Sequence, residues 1–216
     1  MHVQYKMMER KPAAGSIRNK ERSKKKFLDA VGQILMTKGC SALKVNNIAA
    51  TAGLDKKMIY TYFGGTEGLL DAYIQSQDFW SNVKVDPSIP IQDGGKVLTQ
   101  KMLQSQFDYV DKNKELQKLL LWRLSEKRTT LKKLSDRQEA NGEYLFSTIT
   151  DPHFKSHSEQ YRAVIAILIS GIYYLNLYSN ENGSVFCGLD MKSPQDRDKI
   201  KEALSFIIDS TYKKYE

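Results

Sequence analysis

Gly53 and Asp55, set between two short apolar-periodic segments, constrain this chain more than any other feature. Ahead of them Val45, Ile48, Ala49 and Ala52 recur at spacings of three and four, the stripe a helix buries. Glycine takes the left-handed backbone that ends a helix without steric cost, and the Asp55 carboxylate can accept from the free N–H groups that open the next one. That second segment buries Ile59 and Phe63 and turns Lys56, Lys57, Tyr60, Thr61 and Tyr62 outward. The spacing therefore predicts two short helices joined by a tight turn, the second with a basic and aromatic face. Such a helix-turn-helix sets its second helix into the major groove of DNA.

Charge points the same way. Through Ile74 the chain holds 13 Lys and Arg against 6 Asp and Glu, while the remainder holds 20 against 19. Nearly all of the +8 net charge thus lies with the helix-turn-helix, which argues for a polyanionic partner of that segment. An anionic lipid surface is the rival, but nothing supplies an anchor. The apolar run from Ala163 through Leu175 is expected to be too short for a bilayer span, and no signal peptide is evident. Cys40 and Cys187 are isolated thiols without metal spacing, as in a reducing compartment. The expectation is a cytoplasmic, globular protein with no membrane partner.

Residues 1–19 mix Pro12, Gly15 and scattered charge without periodicity and read as a flexible basic arm. A helix is expected from Lys20 to Gly39, burying Phe27, Val31, Ile34 and Leu35 and presenting Lys24, Lys25 and Lys26. Lys44 stands where a helix start can meet a phosphate, and Asn46 can pair with adenine or be an ordinary exposed amide. Lys56 and Lys57 fall in the first turn of the reading helix, against its dipole, which suits a negative partner. Met58 can meet a thymine methyl, and Tyr60, Thr61 and Tyr62 can reach phosphates, with one tyrosine alternatively packed inside. Thr66 is expected to cap a fourth helix that buries Leu69, Leu70, Tyr73 and Ile74, continues through Phe79 and Trp80, and leads rigidly into a second domain.

Beyond a Pro- and Gly-rich loop, helical spacing resumes over Lys96–Val110, Leu116–Leu124, Glu126–Ile149, Ser158–Tyr178 and from Ser193-Pro194 to the end, with a break at Asp151-Pro152. Strand alternation and internal repeats are not evident, so the fold class is all-α. Phosphate-loop, nucleophile-elbow and zinc-protease patterns are absent from the sequence, and His153 and His157 lack a third ligand nearby. These readings point away from an enzyme, a metal or a cofactor. Trp80, Phe107, Trp122, Arg123, Tyr144 and Tyr174 are candidates for lining a cavity between helices. Ile165, Leu168, Ile172, Tyr173, Leu204, Ile207 and Ile208 offer more apolar surface than a monomer needs and are candidates for a subunit interface.

The run Val45, Ile48, Ala49, Ala52, Gly53 and Leu54, followed by Ile59, Tyr60, Tyr62, Phe63 and Gly64, resembles the tetracycline-repressor (TetR) family of bacterial transcriptional regulators over roughly positions 23 to 72. The resemblance implies a helix-turn-helix domain over residues 20–65 and a helical ligand-binding and dimerisation domain over 66–216. It implies a homodimer that represses transcription from a palindromic operator and is released by a small-molecule effector. The last two helices of each subunit would pair with those of its mate. One departure concerns Thr66, where the family commonly carries a lysine that meets a phosphate; threonine offers only a shorter, neutral contact. The competing function is a sequence-indifferent, architectural nucleic-acid binder.

Overall fold

The computed structural model describes residues 14–77, 91–181 and 183–215. The chain divides into two compact units between Tyr73 and Ile74, a point that falls inside a helix.

In the first unit, α1 (Ala14–Lys38) is followed by a single 3-10 turn and then by α2 (Val45–Ala52), α3 (Lys57–Phe63) and α4 (Thr66–Ser76). The first helix begins at Ala14, earlier than the expected Lys20, because residues 14–19 contain no helix breaker beyond a single glycine. Its buried side is the predicted one: Phe27, Val31, Ile34 and Leu35 are all within the core. Ile48, Ile59, Leu69, Leu70 and Tyr73 are buried in the same unit, and Phe63 sets its ring edge-on to Phe27 at 6.2 Å. Gly53 adopts φ 63°, and the N–H groups of Gly53 and Leu54 donate back to Ala50 and Ala49, closing α2. Asp55 Oδ1 then accepts from Lys57 N at 2.8 Å and opens α3.

The turn into α4 departs from expectation. Thr66 is the first helical residue rather than the cap, and its hydroxyl makes no hydrogen bond among the described residues; the Gly65 carbonyl instead receives Leu69 N. Gly68 is required by close approach: a Cβ there would lie 1.9 Å from the Phe63 carbonyl oxygen.

In the second unit, α5 (Lys96–Lys112) is central, packing against α6 (Lys114–Ser125), α9 (Ser158–Glu181) and α10 (Pro194–Tyr215). Between α6 and α9 run α7 (Thr129–Leu145), a π-helical turn at Phe146–Thr150 and the short α8 (Asp151–Phe154). The expected break at Asp151-Pro152 does not occur, because Pro152 sits in the first turn of α8, where a missing N–H costs nothing. The interruption comes later, at Lys155, with φ 50°. Between α9 and α10 a short antiparallel hairpin, β1 (Val185–Phe186) with β2 (Leu189–Asp190), turns at Cys187 and Gly188, a pairing too short to leave an alternation in the sequence.

Two charged knots hold this unit. Arg197 of α10 stacks on Phe107 at 4.0 Å and donates to the Phe107 carbonyl, to Asn176 Oδ1 and to Asp108. Asn176 is fully buried and its amide N–H groups reach Phe107 O and Ile172 O, so α5, α9 and α10 meet at one polar point inside an apolar core. Arg162 of α9 pairs with Glu143 and Asp151 and lies over the Phe146 ring at 4.7 Å, bracing the π-helical turn.

The helical run Thr129–Glu181 contains an 18-residue window of mean hydropathy 1.4, so by length and composition it meets the requirement for a bilayer span that the sequence was expected to fail. The core helix of a folded domain passes the same test, and α9 buries Ile165, Leu168 and Ile172 within its own unit.

Candidate nucleic-acid interface and a cavity in the second unit

Across α2 and α3 the apolar residues point inward, leaving a polar and basic face. Lys44, Asn46, Lys56, Lys57, Tyr60 and Thr61 are exposed, with Tyr60 at 57%. Lys56 Nζ reaches Asn46 Oδ1 at 3.4 Å, so the start of α3 and the start of α2 share one surface. Thr61 Oγ1 donates back to the Lys57 carbonyl at 3.1 Å, which fixes its methyl and hydroxyl on that face. Met58 and Thr66 are half-buried at its edge. Tyr62 is also half-buried, and the Lys20 ammonium sits 5.7 Å from its ring. It is the tyrosine of the pair that packs back on α1, while Tyr60 stands free of the core. Lys24 and Lys25 are engaged in exposed ion pairs with Glu21 and Asp29, which leaves Lys26 as the exposed lysine of that cluster with no ion pair on α1.

The second unit encloses a cavity of about 520 Å³ between α5, α6, α7, the π-helical turn and α9. Of the residues expected to line such a space, Arg123 and Tyr144 do. Phe107 and Trp122 are buried in the core instead, the first under Arg197 and the second donating from its indole to Glu126 at 2.8 Å. Tyr174 is exposed, stacks with Tyr178 and meets Phe186 edge-on. Trp80 lies outside the described residues.

Among the lining residues that the sequence left unassigned are Gln106, Gln138 and Tyr161, with Ile149 and Thr150 of the π-helical turn. Helical periodicity carries no signal for the residues of that turn, because its extra residue shifts the phase. Burial pushes the Tyr173 hydroxyl up to about 12, with the Arg123 charge and the hydrogen bond donated by Gln106 opposing it.

The residues expected at a subunit interface occupy several settings in the single chain. Ile165, Leu168, Ile172, Leu204 and Ile208 are buried within the chain, so their surface is already covered, and Tyr173 lines the cavity. Ile207 alone of that set is exposed. The uncovered apolar side chains of the same helices are Ile167 at 71% and Phe206 at 68% exposure, with Ile207 and Tyr174 beside them in sequence register. His153 packs on Phe154 and Tyr212, and His157 on Tyr215, each as an aromatic partner.

Residues 27–73 match the family model described as bacterial regulatory proteins, tetR family. This segment coincides with α1 through α4 from Phe27 onward and includes the whole helix-turn-helix. No curated protein gives a significant match to the chain.

Proposed function

Because its N-terminal domain belongs to the tetR family of bacterial regulatory proteins, the chain is a DNA-binding transcriptional regulator, and we propose that it acts as a homodimeric repressor released from a palindromic operator by a small-molecule effector. The observation that carries this reading is the segregation of α3: Ile59 wholly buried, and Lys56, Lys57, Tyr60 and Thr61 exposed on one basic face. Lys56 and Lys57 at the helix start meet base edges, Asn46 and Lys44 support them from α2, and Tyr60 with Thr61 reach phosphates.

A single short helix reads few base pairs. Two copies related by a two-fold axis read half-sites about 34–36 Å apart. The interface between the copies is formed by the outer faces of α9 and α10 through Ile167, Phe206 and Ile207, since these are large apolar groups left exposed by the described residues of one chain. The effector enters the cavity bounded by α5, α7 and α9, whose volume is that of an ordinary small-molecule site. It acts by binding one state of a two-state equilibrium more tightly than the other, the operator binding its opposite.

Selection of bound fragments from random duplex DNA tests the reading. A near-palindrome with half-sites one helical turn apart is expected. Recovery without a consensus would instead identify a sequence-indifferent binder, whose affinity falls steeply with salt.

A further inference from the structure

Resting on the reading of the second-unit cavity as an effector site, we infer that the effector is an amphipathic monocarboxylate, its apolar body against Leu98, Phe146, Ile149 and Ile165 and its carboxylate received by Arg123 and Gln138.

Three polar groups of the cavity wall, on Arg123, Gln138 and Tyr173, are arranged as donors. Arg123 is the only cation in its wall, and its one hydrogen bond among the described residues goes to Gln138 Oε1, at 2.6 Å. A guanidinium has no acceptor, so Gln138 must present its oxygen to Arg123 and its NH2 away from it. That Nε2 is buried and has no partner. A buried amide N–H without an acceptor costs about 1–3 kcal/mol, so the site is incomplete until an acceptor arrives. Tyr173 adds a third donor: its hydroxyl oxygen accepts from Gln106 Nε2 at 3.4 Å, which leaves its own proton free to be donated.

The size of the charge follows from the same inventory. Glu139 is the only carboxylate in the wall, and it is exposed to water and makes no ion pair with Arg123. Among the described residues the part-buried guanidinium therefore has no carboxylate in contact with it, and one negative charge on the ligand can pair with it. A phosphate dianion would exceed what one arginine offsets, and a cationic ligand would be placed beside it. A carboxylate also matches the geometry, with one oxygen on the guanidinium and the other on the Gln138 amide.

The remainder of the wall asks for hydrocarbon. Leu98, Met102, Leu145, Ile149, Ile165 and Ile169 carry no polar atoms on their side chains beyond one thioether. The Thr99 and Tyr161 hydroxyls pair with each other at 2.9 Å. Thr150 Oγ1 is the other buried unpartnered atom of the wall, a lone neutral hydroxyl that selects no charge.

The test uses the full chain and three probes on one skeleton, decanoate, decan-1-ol and decylamine, each below its micelle-forming concentration, with binding followed by titration calorimetry. Decanoate is expected to bind one per chain and roughly tenfold or more tighter than decan-1-ol, the scale of a charge-assisted hydrogen bond. Arg123→Met should erase that difference, and decan-1-ol that still binds one per chain to the variant shows that the cavity is intact. Arg123→Lys should retain part of it, and Gln138→Leu should lose part. Should Arg123→Met fail to fold, the Lys and Leu variants carry the test in its place. Equal binding of acid and alcohol, or tighter binding of the amine, would overturn the carboxylate and keep the cavity as an effector site. No saturable binding of any probe would remove both.

Discussion

Lys56 Nζ lies 3.4 Å from Asn46 Oδ1, joining the first turn of α3 to the first turn of α2. The contact is exposed and long, so it orients the ammonium without holding it against a better acceptor. A guanine edge or a phosphate oxygen can replace Asn46 at little cost. Lys56→Ala is expected to weaken operator binding by about 1–3 kcal/mol and to relax selectivity at one base pair. Lys57→Ala should weaken binding evenly across sequences and lower the salt slope by about one. Gel-shift titrations on the selected operator and single-base variants separate the two. Unchanged affinity after Lys56→Ala combined with Tyr60→Ala would end the assignment of this face.

Gly68 cannot gain a side chain where it stands, because a Cβ would lie 1.9 Å from the Phe63 carbonyl oxygen. Gly68→Ala should destabilise the N-terminal unit by about 1–3 kcal/mol, the range for overpacking a tight contact, although alanine is the better helix former. Thermal and urea unfolding followed by circular dichroism should show loss in that unit, with DNA affinity falling in parallel. Equal stability of the variant would mean that α4 shifts freely past the end of α3.

Subunit assembly is expected to depend on exposed, not buried, apolar groups. Phe206→Asp, at 68% exposure, should shift the protein to monomer in sedimentation equilibrium while leaving its helix content intact. Ile165→Ala should do the reverse, lowering stability by about 2–5 kcal/mol and leaving assembly alone, since Ile165 is enclosed by its own chain. A monomeric wild-type protein, or a dimer indifferent to Phe206→Asp, would remove these helix faces from the interface.

The charged point on α5 sets an acid limit. Burial raises the Asp108 carboxyl, but hydrogen bonds and charge from Lys201 and Arg197 outweigh it, leaving the pKa below the ordinary 3.8. A carboxylate depressed by folding contributes stability that is complete above its unfolded value and is lost as pH falls through its folded one. The loss is therefore expected below about pH 3.8, with none between pH 5 and 8 from this group. Urea midpoints measured for the protein and for Asp108→Asn should converge as the pH is lowered through that window. Parallel curves would show that the ion pairs contribute nothing.

Much of the N-terminal unit was legible because its determinants are local. Gly53 ends α2 and Asp55 opens α3 through hydrogen bonds between near neighbours in sequence, and the residue types declare both. The family resemblance rests on the same residues. Tyr62 against Lys20 was not legible, because which of two similar tyrosines packs back depends on a helix far upstream.

The second unit was readable as helices and little further. Periodicity marks Ile165, Leu168 and Ile172 as an apolar stripe but does not say what covers them, and α5 of the same chain does. Arg197 carries no local sign of its role; its partners at Phe107, Asp108 and Asn176 come from two other helices. Arg123 could be singled out as a cation among apolar neighbours, whereas Gln138 could not, since an unpartnered amide is a property of three dimensions alone.

The π-helical turn at Phe146–Thr150 holds a spare residue relative to the helices on either side of it. One residue is about 100° of rotation along a helix, so Leu145 and Asp151 keep the directions they have only while that surplus is retained. Removing any single amino acid from the five would wind the wall back to an ordinary helix and swing everything after it by more than a quarter turn. Descendants of this chain can therefore exchange side chains in the segment more freely than they can shorten it.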